Sequence, residues 1–383
     1  MEDILFQFAT AGISEPIRYR LSEGVHPLSI GGRQALFSAG SERLYELNVT
    51  AALLASMLYE GSAFAALTAA LECQGFDGEA ASGTVLELLR QWSAQNLVHA
   101  AICTPDAPQF WEQRIHIAGV DAAIHYADIE QYRQISPIFA HMSRPISEPA
   151  TCIKVVEADG VALVSRNGGP AWVIAASQAG PFIRGLLVED VLAVAPPDIA
   201  LHTACLAHRN RALLLGGPPG AGKTTLTIAL SRSGFDYVSD DITLLRRDGR
   251  VQGVPFAPAV KEGAWPLLRR YRADVATLPV HMRLDDVPVR YPGLTQPPHI
   301  AHMNAGWIVH LRRVAGATPE FRELDPVEAL VRLMDEAHST AGAATIEDMR
   351  TLIALVERVR CFELTCWDLD AAVEALSVLC AEG

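Results

Sequence analysis

Gly217-Pro218-Pro219-Gly220-Ala221-Gly222-Lys223-Thr224 reads Gly-x-x-x-x-Gly-Lys-Thr, the spacing of a loop that cradles phosphate. Its flanks give the match weight. Ala212-Leu213-Leu214-Leu215 predicts a short buried strand ahead of it, and Thr225 to Leu230 predicts a helix behind it, stopped by Gly234. Glycines let the backbone turn its N–H groups inward, and the helix N-terminus sets a positive dipole end beneath an anion. In such a loop Lys223 reaches the β and γ phosphates of a nucleotide, and the Thr224 hydroxyl ligates Mg²⁺. The candidate nucleotide-binding residues are Gly217, Pro218, Pro219, Gly220, Ala221, Gly222, Lys223, Thr224 and Thr225. Taken alone, the eight residues also read as a glycine-rich turn with a solvated lysine; the strand and helix around them argue against that.

Two further features lie at spacings that suit the same site. His202 stands fifteen residues before Gly217, in Ala200-Leu201-His202-Thr203-Ala204. Asp240 and Asp241 follow Lys223 by seventeen and eighteen residues, at the end of the predicted strand Phe235 to Ser239. A carboxylate at a strand end beside the loop suits a metal, and a second suits a proton from an attacking hydroxyl. Neighbouring residues on a regular strand face opposite ways, so the pair can serve one centre only where the chain turns. By itself an Asp-Asp pair reads as a solvated turn, and a lone histidine as structural.

Lysine is scarce: Lys154, Lys223 and Lys261 stand against 28 arginines. A lysine kept against such a bias marks a place for a compact charge on a flexible stem. That makes Lys261, in Pro258-Ala259-Val260-Lys261-Glu262-Gly263, a candidate beside Lys223, with a leftover surface lysine as the other reading.

The rest of the chain bounds the setting. At 383 residues, half of them apolar and a fifth charged, it reads as a soluble globular protein of two or three domains. No apolar run reaches the length of a membrane span, and Met1-Glu2-Asp3-Ile4 lacks the basic start of a secretory signal, so a cytoplasmic protein off the membrane is expected. Seven scattered cysteines without metal-ligand spacing fit reduced thiols. The net charge is −13, and residues 1–100 carry eleven acids against five arginines, which argues against nucleic acid as a partner.

Ahead of the loop, Gly31-Gly32 predicts a hairpin turn, and Asn48 caps a helix that Gly61 ends. Further helices are expected from Ser62 or Ala63 and over Gly78 to Asn96, then a short strand at Leu97-Val98. Thr104-Pro105-Asp106-Ala107-Pro108 is the best linker, which divides the chain into 1–103 and 109–383. Beyond it, strands are predicted around Arg114–Gly119, Ala122–Tyr126, Ile153–Val156, Val161–Val164 and Trp172–Ile174, all before the loop. Simple doubly wound nucleotide-binding folds place the loop after their first strand.

His202, the loop Gly217 to Thr224 and Val238-Ser239-Asp240-Asp241 together resemble the catalytic core of the HPr kinase/phosphorylase family, over roughly residues 110 to 380. The resemblance implies an α/β (α+β) fold of the phosphoenolpyruvate carboxykinase type, ATP and Mg²⁺ as cofactors, and transfer of phosphate to a serine. It casts Asp241 as the base, Asp240 as positioning Mg²⁺ or His202, and Thr224 as a metal ligand. Lys223 would hold the transferring phosphate and His202 support the base. The family's Glu-Ile-Arg-Gly-Leu-Gly type segment, which supplies a metal-binding glutamate and serves the phosphorylase reaction, is missing; Pro258 to Gly263 stands there, with Glu262 as the stand-in.

That departure, with Leu201-His202-Thr203-Ala204, is similar to the related kinases of peptide-modification clusters, some of which phosphorylate a serine of a lasso-peptide precursor. Leu44-Tyr45-Glu46-Leu47-Asn48-Val49-Thr50-Ala51, Glu60-Gly61, and Leu88-Leu89-Arg90-Gln91-Trp92 to Val98 resemble the PqqD-type domain, a small winged helix-turn-helix that binds leader peptides. The resemblance implies a precursor peptide as partner, its leader added as a strand to the sheet edge. A homo-oligomer stays open. So do a nucleotide-gated peptide-binding protein or chaperone without phosphate transfer, and a kinase of a free small molecule such as serine.

Overall fold

Leu213, Leu214 and Leu215 are all fully buried, which a strand achieves only when both faces of its sheet are covered. In the computed structural model they lie on the strand Arg211–Gly216, and alternation sends them to two different cores. Leu213 and Leu215 pack with Leu226 and Leu230 of the helix Lys223–Ser231 and with Leu376 and Leu379 of the helix Leu369–Glu382. Leu214 joins Leu333 of the helix Pro326–Met334 and Leu355 of the helix Ile346–Arg358 on the other face. The phosphate loop therefore leaves a sheet sandwiched between helices, which fixes its stem. The structure describes residues 17–102, 111–194, 199–294, 298, 301–339 and 344–382.

The long strand Met303–Arg313 runs parallel to the loop strand on one side and to Arg360–Cys366 on the other. The sheet forks at its start, where Asn304 also pairs antiparallel with Arg250. The second branch runs through the strands Arg250–Gly253, Thr243–Leu245 and Ile199–Leu201 to the short Ala337–His338. This fork brings the segments around His202 and Glu336 back toward the loop. A three-stranded sheet of Val260–Lys261, Pro288–Arg290 and His281–Met282 adds a wall. The fold is mixed α/β.

By contacts the chain forms two compact units that do not divide at the 103–109 boundary expected from the sequence. One gathers Met1–Gln113 with Ala123–Tyr132 and Thr151–Ala179; the other holds Arg114–Ala122, Arg133–Ala150 and everything from Gly180 onward. The reason is a shared core. Leu54, Leu71, Leu89 and Trp92 of the N-terminal helices cluster with Val156, Leu163 and Val173 of the later strands. The Ser93 hydroxyl accepts the Val173 N–H at 2.8 Å, and the Tyr19 hydroxyl donates to Asp159 at 3.1 Å. The expected linker Thr104–Pro108 lies outside the described residues.

Within the first unit the hairpin through Gly31-Gly32 is present, with φ of 59° and 83°, and a third strand, Arg43–Leu47, extends it. Asn48 caps the helix Val49–Glu60 by accepting the Ala51 N–H at 2.8 Å. Arg18–Leu21 stands apart from the hairpin and pairs with Val98–Ala101. The helices Phe64–Glu72 and Gly78–Ala94 follow the predicted spans to within a turn. No described helix is long and apolar enough to cross a membrane.

Candidate active site

The loop stem ends at Gly216, and Gly222 with φ of 100° opens the helix at Lys223. Gly217 has φ of 135°, and a methyl group there would meet the Leu311 carbonyl at 2.9 Å. Glycine is required at this position both for the turn and for the close strand behind it. The Lys223 ammonium donates to the Gly217 carbonyl and lies 3.8 Å from Glu336 Oε2.

Asp240 and Asp241 stand just past the end of the strand Asp236–Ser239, where the chain bends, and both line the same cavity. Their surroundings differ. Asp241 Oδ2 accepts from the Arg184 guanidinium at 3.0 Å, and its Oδ1 lies 3.1 Å from His202 Nδ1. Burial by itself raises the Asp241 carboxyl, but Arg184 and His202 outweigh it and hold the group below the usual aspartate value. Asp240 Oδ2 accepts the Thr224 hydroxyl at 3.0 Å. Burial first, then the charge of Asp241, pushes Asp240 up to about 7. The surroundings thus split two adjacent carboxylates: they favour the ionised form of Asp241, which faces a histidine, and raise Asp240, which faces the loop threonine, toward neutrality.

Among the described residues no group of three or more His, Cys, Asp or Glu side chains forms a metal cluster. Mg²⁺ at nucleotide sites takes one or two protein oxygens, the rest coming from phosphates and water. Asp240 and Thr224 fit that demand. Asp240 Oδ1 is buried with no side-chain or backbone hydrogen-bond partner of ordinary geometry, and the Ala259 backbone acts on the carboxyl as a further influence that lowers it.

The cavity measures about 700 Å³. It is lined by every residue from Pro218 to Thr225, by His202, Asp240 and Asp241, and by Lys261. Glu262 is exposed and forms no part of the wall. The lining cations are Arg184, Lys223, Lys261, Arg283 and Arg313, against Asp240, Asp241 and Asp285. A pocket with more cations than acids, in a chain of net charge −13, is built for an anion.

Sequence reasoning missed Arg184 and Glu336. Arg184 lies on the helix Ala179–Val194, whose start, Ala179-Gly180-Pro181, and Gly185 hid the helical pattern. Its guanidinium carbon lies 4.9 Å from the centre of the Phe256 ring, and it donates to Asp241. Glu336 follows the helix Pro326–Met334 in a Met-Asp-Glu-Ala run that reads as a solvated helix end.

No family model matches the chain, and no curated protein matches it. Among solved structures, the HPr(Ser) kinase/phosphatase from Coxiella burnetii is similar at 12% identity and a TM-score of 0.24, over 48% of this chain and 93% of that one. A likeness at that level says nothing of this chain's activity, which has to be read from the geometry.

Proposed function

We propose that the chain is an ATP- and Mg²⁺-dependent kinase that phosphorylates a hydroxyl, that of a serine in a ribosomally made precursor peptide. The observation that carries this is Asp241, held ionised by Arg184 and His202 in the same cavity as the phosphate loop. A switch that only binds nucleotide has no use for a paired, histidine-supported base.

Mg²⁺ held by Asp240 and Thr224 would neutralise charge on the β and γ phosphate oxygens. Loop N–H groups and Lys223 hold the phosphate chain. Asp241 takes the proton from the acceptor hydroxyl as its oxygen bonds to the γ phosphorus. The bond from that phosphorus to the β–γ bridging oxygen breaks, and ADP leaves. His202, 3.1 Å from Asp241 and with 46% of its side chain exposed, orients and supports that base.

The peptide acceptor is supported by the N-terminal sheet. Its edge strand Val25–Ile30 exposes Leu28 and Ile30, and Leu44 is exposed on the opposite edge strand, an apolar surface suited to an added strand. A tethered leader raises the local concentration of a weakly held serine, so the pocket itself needs little sequence recognition.

The test is the full chain with ATP, Mg²⁺ and a candidate precursor peptide, read by mass spectrometry. A gain of one phosphate on serine is expected. Nucleotide bound without phosphopeptide would favour a nucleotide-gated binding protein. Free serine phosphorylated as fast as the peptide would favour a small-molecule kinase. Replacing Leu28 and Ile30 with Asp should raise KM for the peptide and leave the Kd for ATP alone.

A further inference from the structure

The first residue of the phosphate loop is held by a carboxylate 119 residues further along the chain. Glu336 Oε1 accepts the Gly217 N–H at 2.6 Å, and Oε2 faces Lys223 Nζ at 3.8 Å. The backbone carbonyl of Glu336 accepts the His202 N–H at 2.7 Å. Glu336 is 8% exposed, so both of its oxygens act with little water to screen them. It sits where the helix Pro326–Met334 ends and the edge strand Ala337–His338 begins, and that strand pairs with Ile199–Leu201. One residue therefore ties the loop start, the loop lysine and the segment of the histidine.

The ammonium that Glu336 faces is the one a phosphate chain needs. Lys223 points back to the Gly217 carbonyl and the Glu336 carboxylate. A nucleotide that engages Lys223 takes it from both. It also brings negative charge near a buried carboxylate, which disfavours binding further.

We propose that Glu336 is a positioning residue that sets nucleotide affinity: it holds Lys223 withdrawn while the loop is empty, and nucleotide binding is an exchange of Lys223 from Glu336 to phosphate. The proposal rests on the reading of the loop as a nucleotide site and goes beyond it by assigning the residue that competes with the ligand. The exchange keeps affinity moderate and eases the release of ADP. A carboxylate with a merely structural role would act in the opposite direction, since weakening it would loosen the loop and weaken binding.

The test is the Kd of the full chain for ADP and ATP by titration calorimetry. Glu336→Gln keeps the size and an oxygen for the Gly217 N–H but removes the charge. Binding is expected to tighten about tenfold, the loss of one competing charge interaction. The gain should vanish when Lys223→Ala is the background. If Glu336→Gln binds equally well or more weakly while the wild type binds normally, the proposal is overturned. If the wild type binds neither nucleotide, the loop reading itself has failed. Should the variant not fold, the wild type still decides. Its three lysines give three side-chain signals in ¹³C-lysine NMR, and the signal lost in Lys223→Arg must move when ADP is added. An unmoved signal overturns the exchange.

Discussion

Asp241→Asn separates the chemistry of the site from its stability. The change keeps the shape of the side chain and removes its charge. Arg184 is then left with 14% of its side chain exposed and no ionised partner at 3.0 Å. Stranding a buried charge costs about 3–5 kcal/mol. Two features reduce that figure. Asp241 is 34% exposed, so solvent already screens the pair. Asp240 also feels the Arg184 charge and ionises more readily once Asp241 is neutral. A loss of about 2 kcal/mol is expected, or a fall in Tm of roughly 5 °C. Phosphate transfer should fall by roughly 10²–10⁴, the usual worth of a positioned base. Nucleotide affinity should change by less than about threefold, since the hydrogen bond and ion pairs of Asp241 run to Arg184 and His202 rather than to the loop. Single-turnover transfer from labelled ATP, calorimetric Kd and thermal melts read the three quantities separately. Transfer within tenfold of wild type, with a peptide acceptor in hand, would refute the base assignment. A Kd that collapses along with the rate would show Asp241 serving the nucleotide instead.

Two other outcomes follow from the same geometry. Gly216→Ala places a methyl 2.9 Å from His310 Nδ1, a ring only 4% exposed, so overpacking should cost about 1–3 kcal/mol and Gly216→Ala/His310→Ala should recover part of it in melts. For Asp240 the folded chain keeps a proton up to about pH 7 that the unfolded chain releases near pH 4. Wild-type stability therefore falls across that window as pH rises, and Asp240→Asn should gain on wild type between about pH 4 and pH 7; a Tm difference independent of pH would show that Asp240 holds no such proton.

The two-unit division also changes how peptide recognition is tested. Removing residues 1–102 would bare Val156, Leu163 and Val173, which share the core of the N-terminal helices. Lost activity in such a truncation would report a broken core. Point substitutions at Leu28 and Ile30, which are exposed, avoid that.

Much of the site was legible because its parts are local. The loop, its strand and its helix occupy Arg211–Ser231 in one run, and their motif follows from backbone geometry that only glycine and lysine at fixed spacing satisfy. Asp240 and Asp241 were legible as a strand end. Their division of labour was not, since it depends on Arg184 from one helix and Thr224 from another. Glu336 carried no local signal, because its partners are backbone and side-chain atoms of the loop and of His202.

By itself, then, the sequence determined the phosphate loop, the capped helices, the hairpin and the alternation that buries Leu213, Leu214 and Leu215. These follow from torsional preference and hydrophobic period, which act over a few residues. Only the tertiary structure decided which carboxylate is ionised, what holds Lys223, and that strands 151–174 belong with the N-terminal helices. Burial and charge at distances of 3–4 Å are properties of a packed neighbourhood, and the sheet that forks at Met303–Arg313 builds that neighbourhood from segments far apart in the chain.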